Sequence, residues 1–144
     1  MQRDIYKQLL RWKNKKTRKP LILNGARQVG KTYILREFGE KEYQKVAFFS
    51  LDRNQKVREV FEKSGNTADI LMALSAISQV NITPGDTLLV LDEIQDCPKA
   101  LEALKFFCEE TPDIHIVVAG SLLGLSLHDG TSYPVGKVEE MRLY

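Results

Sequence analysis

The 144-residue sequence is poor in the residues that build metal centres and disulfide frameworks: it has two cysteines, two histidines and one tryptophan. Cys97 and Cys108 are eleven positions apart with no C-x-x-C spacing, which indicates neither a zinc site nor a disulfide framework. His115 and His128 form no ligand pair, and His115, set in an apolar strand pattern, reads as packed or at a sheet edge. No apolar run approaches the roughly 18 residues of a membrane span. The N-terminus lacks the apolar stretch of a secretory signal. There are no internal repeats and no low-complexity tracts. These absences fit a reducing, cytoplasmic setting. The length fits one ordinary domain that buries roughly two-thirds of its unfolded surface.

The net charge of +2 conceals an asymmetry. Residues 1–20 carry Arg3, Lys7, Arg11, Lys13, Lys15, Lys16, Arg18 and Lys19 against Asp4 alone, a net +7, which leaves −5 for the remainder. A basic leading segment suits contact with nucleic acid. Yet Ile5, Leu9 and Trp12 recur at helical spacing, with Tyr6 and Leu10 beside them. That pattern predicts an amphipathic helix over residues 1–18, packed on a core of residues 19–144, with its lysines in solvent. Packing is the favoured reading and nucleic-acid contact the alternative.

What is present is concentrated in two motifs. Residues Gly25 to Thr32 read G-A-R-Q-V-G-K-T and follow the apolar run Leu21-Ile22-Leu23. This is the phosphate-loop pattern G-x-x-x-x-G-K-[ST], after a strand and before a helix. Glycines let the backbone curl so that successive N–H groups form an anion nest. The following helix aims its positive dipole end at the same point. Gly25, Ala26, Arg27, Gln28, Val29, Gly30, Lys31, Thr32 and Tyr33 are therefore the candidate nucleotide-binding stretch. Lys31 is placed to reach the β- and γ-phosphates, and the Thr32 hydroxyl to ligate Mg²⁺.

The second motif is Leu88-Leu89-Val90-Leu91-Asp92-Glu93. Four apolar residues in a row fit a parallel strand buried on both faces. Asp92 then emerges at the strand's carboxyl end, where open α/β sheets bind ligands, and suits the acidic partner of Mg²⁺. Glu93 suits a general base that orients water, although adjacent acids are also common in turns. A carboxylate beside the metal aspartate favours water over a substrate hydroxyl as nucleophile. The Asn-Lys-x-Asp guanine reader is missing: the only Asn-Lys, Asn14-Lys15, precedes the loop and lacks the Asp. ATP is thus the expected nucleotide.

Along the chain, strands are expected at Leu21–Asn24, Val46–Leu51, Thr87–Leu91, Ile114–Ala119 and Val138–Leu143. Helices are expected at Lys31–Phe38 with Gly39 as the stop, at Gln55–Lys63, at Ala68–Gln79 with Thr67 as N-cap, and at Pro98–Glu110. Ile70, Leu71, Leu74 and Ile77 define the apolar face of the third of these. A short helix over Leu122–Leu127 and a loop over residues 129–132 complete the expectation. Alternating strands and helices imply an α/β fold with a mainly parallel sheet. Ser121, after the fourth strand, is placed to contact the γ-phosphate or the water, or else to cap the next helix.

The stretches G-A-R-Q-V-G-K-T, L-D-E-I-Q and A-G-S resemble the bacterial and archaeal AAA+ type ATPases that carry a C-terminal domain of unknown function. The likeness runs from about Arg3 to Tyr144. It implies a P-loop NTPase three-layer sandwich with five strands in the order 5-1-4-3-2. It implies catalytic roles for Lys31, Glu93 and Ser121, metal binding by Thr32 and Asp92, and ATP with Mg²⁺ as cofactors. Arg27 and Gln95 belong to the pattern without an assigned role. Gly136-Lys137 stands where similar proteins show Gly-Arg, and Lys lacks the bidentate fork of Arg. Related proteins continue into a lid and a further domain, so the chain looks like an ATPase core whose turnover in isolation is very slow. The implied partners are ATP and an unidentified protein client reached through the missing region, with no membrane and an open oligomeric state. The alternatives are a nucleic-acid-associated ATPase and an ATP-binding switch with negligible hydrolysis.

Overall fold

The structure is a computed structural model that describes residues 2–25, 30–120 and 136–143. Five strands, β1 (Leu21–Gly25), β2 (Lys45–Ser50), β3 (Thr87–Asp92), β4 (His115–Gly120) and β5 (Glu139–Leu143), form one sheet in the order β2-β3-β4-β1-β5. Every ladder is parallel. This is the order 5-1-4-3-2 read from the other edge. The helices are α1 (Gln2–Asn14), α2 (Lys31–Glu42), α3 (Gln55–Lys63), α4 (Thr67–Ser78) and α5 (Pro98–Glu110), with a 3-10 turn at Ile94–Asp96.

The near-continuous apolar strands follow from a sheet covered on both faces. Ile22, Leu89, Leu91, Ile116 and Val118 point to one side, where Val57 and Phe61 of α3, Ile70 and Leu74 of α4, and Leu101, Leu104 and Phe107 of α5 meet them. Leu21, Leu23, Leu88, Val90, Val117 and Ala119 point to the other, against Ile34, Leu35 and Phe38 of α2 and Ile5, Leu9 and Trp12 of α1. Alternation along each strand thus assigns every side chain to a layer.

Helix α1 is tied down by more than its apolar stripe. The Trp12 indole donates to Lys19 O at 2.7 Å, the Tyr6 hydroxyl to Glu42 Oε2 at 2.7 Å, and Lys13 Nζ to Glu42 O at 2.8 Å. The last of these satisfies a carbonyl at the end of α2, where a cation is favoured. Lys15 pairs with Glu139, and Arg18 donates to Lys13 O. Several of the leading cations therefore have structural partners.

Four sequence expectations are corrected. The leading helix ends at Asn14, short of residue 18, because the Arg18 guanidinium folds back onto the carbonyls of Lys13 and Lys15 and closes the helix end. Gly39 does not stop α2, which runs on to Glu42 and closes through the Tyr43 N–H on Gly39 O. A Cβ on Gly39 would lie 2.6 Å from Val46 Cγ2, so the glycine lets the helix approach the sheet. The N-cap of α4 is Asn66, whose side chain accepts from the Asp69 N–H; Thr67 is inside the helix and donates to Glu110 Oε1. Ile70 and Leu74 are buried in the core as expected, but Ile77 is 36% exposed and is not part of that core cluster. The remaining element bounds differ from expectation by one residue or less, the usual fraying of ends. The helix over Leu122–Leu127 and the loop at residues 129–132 lie outside the described residues.

Candidate functional site at the carboxyl edge of the sheet

Because all strands run the same way, their carboxyl ends share one edge. Register places Asn24 beside Gly120, Gly25 beside Leu143 and Ser50 beside Asp92. The order reverses at β1, which is joined in sequence to β2 across the sheet yet lies between β4 and β5. Such switch points are where open α/β sheets bind ligands.

Gly30 precedes α2 with φ 84°, a left-handed conformation that glycine adopts without a Cβ clash. Helix α2 then starts at Lys31, so its unpaired N–H groups open toward the loop. The Lys31 side chain is 6% exposed and its ammonium donates to Gly25 O at 2.9 Å. A buried cation is therefore held at the first residue of the loop. Tyr33, two residues further along α2, is 64% exposed.

Asp92 ends β3 on the α2 side of the sheet, 7% exposed. Its Oδ2 accepts from Thr32 Oγ1 at 2.9 Å and its Oδ1 from the Glu93 N–H at 2.9 Å. The Asp92 carbonyl accepts from the Leu51 N–H, which ties the ends of β3 and β2 together. The two sequence motifs thus meet through one hydroxyl–carboxylate contact. A hydroxyl and a carboxylate oxygen side by side fit a hard, oxygen-seeking cation. Mg²⁺ takes few protein ligands and completes its octahedron with phosphate and water.

Glu93 has φ 57° and ψ 50°, left-handed for a side chain that disfavours it. Such strain is of order 1–3 kcal/mol and gathers at functional sites. It turns the chain at once from β3 into the 3-10 turn, where the Asp96 N–H returns to Glu93 O at 3.1 Å. Gln95 Nε2 donates to Glu93 Oε2 at 2.6 Å. This amide clasp gives Gln95 a place that its motif position alone did not. Two further residues at the edge carried no sequence signal. Asn24 is 1% exposed, and among the described residues neither of its side-chain polar atoms has a hydrogen-bond partner. Arg142 sits at the register position of Asn24 on β5 and pairs with Glu140.

The structure therefore brings together Gly25, Gly30, Lys31, Thr32, Asp92 and Glu93. Ala26, Arg27, Gln28, Val29 and Ser121 lie outside the described residues. Lys137, at the departure from Gly-Arg, is 3.5 Å from Glu109 at the end of α5.

This geometry has counterparts. Residues 17–144 match the AAA domain family. The chain belongs to that family. Its AAA domain is similar to the Orc1 protein of Aeropyrum pernix, solved in complex with DNA, with a TM-score of 0.62 and 15% identity over 99% of this chain and 44% of that one. It is similar also to a RuvB variant of Thermotoga maritima, with a TM-score of 0.58 and 20% identity over 100% of this chain and 46% of that one. The AAA domain spans less than half the length of either protein, and at these identities the likeness establishes the fold. No curated protein matched. An AAA fold supports nucleotide binding and ATPase activity in general. Among the described residues, no helix is long and apolar enough to cross a membrane.

Proposed function

We propose that the chain is an Mg-ATP-binding and hydrolysing AAA+ core. The carrying observation is the 2.9 Å contact between Thr32 Oγ1 and Asp92 Oδ2, which unites loop hydroxyl and strand-end carboxylate. In this reading the stretch Gly25–Tyr33 wraps the phosphates, with Lys31 exchanging its bond to Gly25 O for the β- and γ-oxygens. Thr32 and Asp92 would hold Mg²⁺, which when bound supplies charge neutralisation at the phosphates. Glu93 takes the proton of the attacking water as the water oxygen bonds to the γ-phosphorus, and the bond from that phosphorus to the β,γ-bridging oxygen breaks, so that ADP leaves. Ser121 contacts the γ-phosphate.

In a longer protein, nucleotide state would move a C-terminal domain and, through it, a protein client. The free thiols Cys97 and Cys108 agree with a cytoplasmic location. Nucleic-acid contact is the second reading. Lys7, Arg11 and Lys16 on and after α1 are exposed, and the similar Orc1 was solved with DNA. The structural partners of Lys13, Lys15 and Arg18 weigh against it.

The test is calorimetry with Mg-ATP, run on the wild-type chain and on Lys31→Ala. Loss of binding in the variant is expected, because a cation is removed from the phosphates while the backbone nest stays. Affinity within about twofold of wild type would sink the phosphate-loop assignment, since a lost charge-assisted bond should be worth far more.

A further inference from the structure

Register sets Ser50 beside Asp92, at the ends of β2 and β3. Val46 and Phe48 pack toward the α2 layer, as do Leu88 and Val90, so by alternation Ser50 and Asp92 both face α2. Adjacent strands are about 4.8 Å apart. Helix α2 lies over this corner. Thr32 Oγ1 donates to Asp92 Oδ2 at 2.9 Å, and one turn further on the Arg36 guanidinium stacks 4.0 Å from the centre of the Phe48 ring.

The chain beyond β2 is held at the same corner. The Leu51 N–H donates to Asp92 O at 2.9 Å, the Arg53 N–H to Ser50 O at 3.3 Å, and the Arg58 guanidinium to Leu51 O. The Ser50 hydroxyl donates to Asp52 Oδ1, which brings the Asp52 carboxylate to the α2 face as well. Asp52 Oδ2 is 3.9 Å from Nε of the exposed Arg53, a long ion pair that leaves it open to water.

The donors at this corner are engaged by its own oxygens. The Thr32 hydroxyl is on Asp92, the Ser50 hydroxyl on Asp52, the Leu51 N–H on Asp92 O and the Glu93 N–H on Asp92 Oδ1. What Thr32, Ser50, Asp52 and Asp92 offer to a ligand is therefore lone pairs. A rim of acceptors repels phosphate and suits a cation that arrives with water. Mg²⁺ is such a cation: it dehydrates reluctantly and keeps several waters, whose hydrogens point outward.

We propose that Asp52, oriented by Ser50, is a positioning residue for the hydrated cation, accepting hydrogen bonds from waters of the Mg²⁺ that Thr32 and Asp92 would hold. This rests on the reading of Thr32 and Asp92 as the metal pair. Those two supply the inner oxygens. Asp52, reached through Ser50 one strand further out, is placed for the water shell and adds a second negative charge beside Asp92. Its loss should weaken the metal and spare the nucleotide.

Calorimetry on this chain separates the two, with ATP affinity measured in EDTA and then across a Mg²⁺ titration. Asp52→Asn should leave affinity in EDTA equal or tighter, because a negative charge near the phosphates is gone. It should raise about tenfold the Mg²⁺ concentration that gives half of the metal-dependent gain, the low end for losing an outer-shell partner. Ser50→Ala, which keeps the charge and loses its orientation, should shift that concentration the same way by less. Weaker ATP binding in EDTA for Asp52→Asn would mean that the residue only props up the turn, and the proposal would fail. An unchanged Mg²⁺ dependence would overturn it too, while leaving the roles of Thr32 and Asp92 intact. If the wild-type chain gains nothing from Mg²⁺, the metal-pair reading falls and this proposal with it.

Discussion

Thr32 and Asp92, sixty positions apart in the chain, are joined by a 2.9 Å hydrogen bond. The bond spans two layers: Thr32 is in the first turn of α2 and Asp92 is the last residue of β3. A parallel sheet puts every strand's carboxyl end at one edge, and the helix after β1 starts at that edge. Chemistry encoded in two separate stretches therefore converges without any contact between them in sequence.

The adjacent carboxylates are expected to fail differently. Glu93→Gln should keep Mg-ATP affinity and lose hydrolysis, since an amide cannot take a proton from water. Asp92→Asn should weaken the Mg²⁺-dependent part of binding, because a neutral oxygen is a poorer ligand for a hard cation. Calorimetry with and without Mg²⁺, beside phosphate release, separates them. Identical behaviour in both assays would refute this division of roles.

Turnover by the 144-residue chain alone should be well below roughly 1 s⁻¹, the slow end of ordinary enzymes. Charge stabilisation by an arginine finger is worth about 10³–10⁵ in rate in related phosphoryl transfer, and no motif in this sequence marks one. Phosphate release at saturating Mg-ATP measures it. Fast turnover that vanishes in Glu93→Gln would show that the chain carries all it needs for the chemistry.

The leading helix should matter for stability through its apolar face. Trp12→Ala removes a ring that is 1% exposed and the indole bond to Lys19 O, a loss of roughly 3–5 kcal/mol. Replacing exposed Lys7, Arg11 and Lys16 by Glu should change the melting temperature little, as surface charges contribute about 0–1 kcal/mol each. If the triple variant keeps its fold but loses salt-sensitive duplex binding shown by the wild type, the nucleic-acid reading gains.

Acid should unfold the chain partly through His115. Its Nδ1 is 2.6 Å from the Tyr43 hydroxyl, and its ring packs edge-on against Trp12 and Tyr43. Burial first, then the Arg18 and Lys13 cations, lowers its pKa from 6.5 to about 4. The unfolded chain then binds a proton that the folded chain refuses. Stability is full above the unfolded value and falls as pH drops from 6.5 toward about 4. Each tenfold difference in proton affinity between the two states is worth about 1.4 kcal/mol, which puts the loss at roughly 3 kcal/mol. Urea melts from pH 7 to 4 should show this slope in the wild type and a flatter one in His115→Gln. Equal slopes would place the acid sensitivity elsewhere.

Gly39→Val should destabilise by roughly 1–3 kcal/mol, the range for overpacking a tight core. Its Cβ would meet Val46 Cγ2 at 2.6 Å, and Val46 is fixed in β2. Gly39→Val combined with Val46→Ala should recover part of the loss. No drop in melting temperature in the single variant would show that α2 can move off the sheet freely.

Local sequence determined a good deal. Apolar runs marked β1, β3 and β4, because a strand covered on both faces needs no polar alternation. The loop pattern and the acid pair after Leu91 singled out Lys31, Thr32, Asp92 and Glu93 as candidates, and the fold brings Thr32 and Asp92 into contact. The stripe Ile5, Leu9, Trp12 named the face of α1 that is buried. What tertiary structure decided was pairwise. Gly39 reads locally as a helix stop, but the approach of Val46 gives it another purpose, and no local pattern encodes that contact. Thr67 and Asn66 are both good caps by composition; the reach of Glu110 from α5 draws Thr67 into the helix. Asn24 is an ordinary polar residue at a strand end until the sheet sets it beside Gly120 and buries it. Gln95 is one more residue of a motif until the left-handed turn at Glu93 brings its amide onto the carboxylate. Spacing along the chain specifies which groups are available; only packing specifies which of them touch.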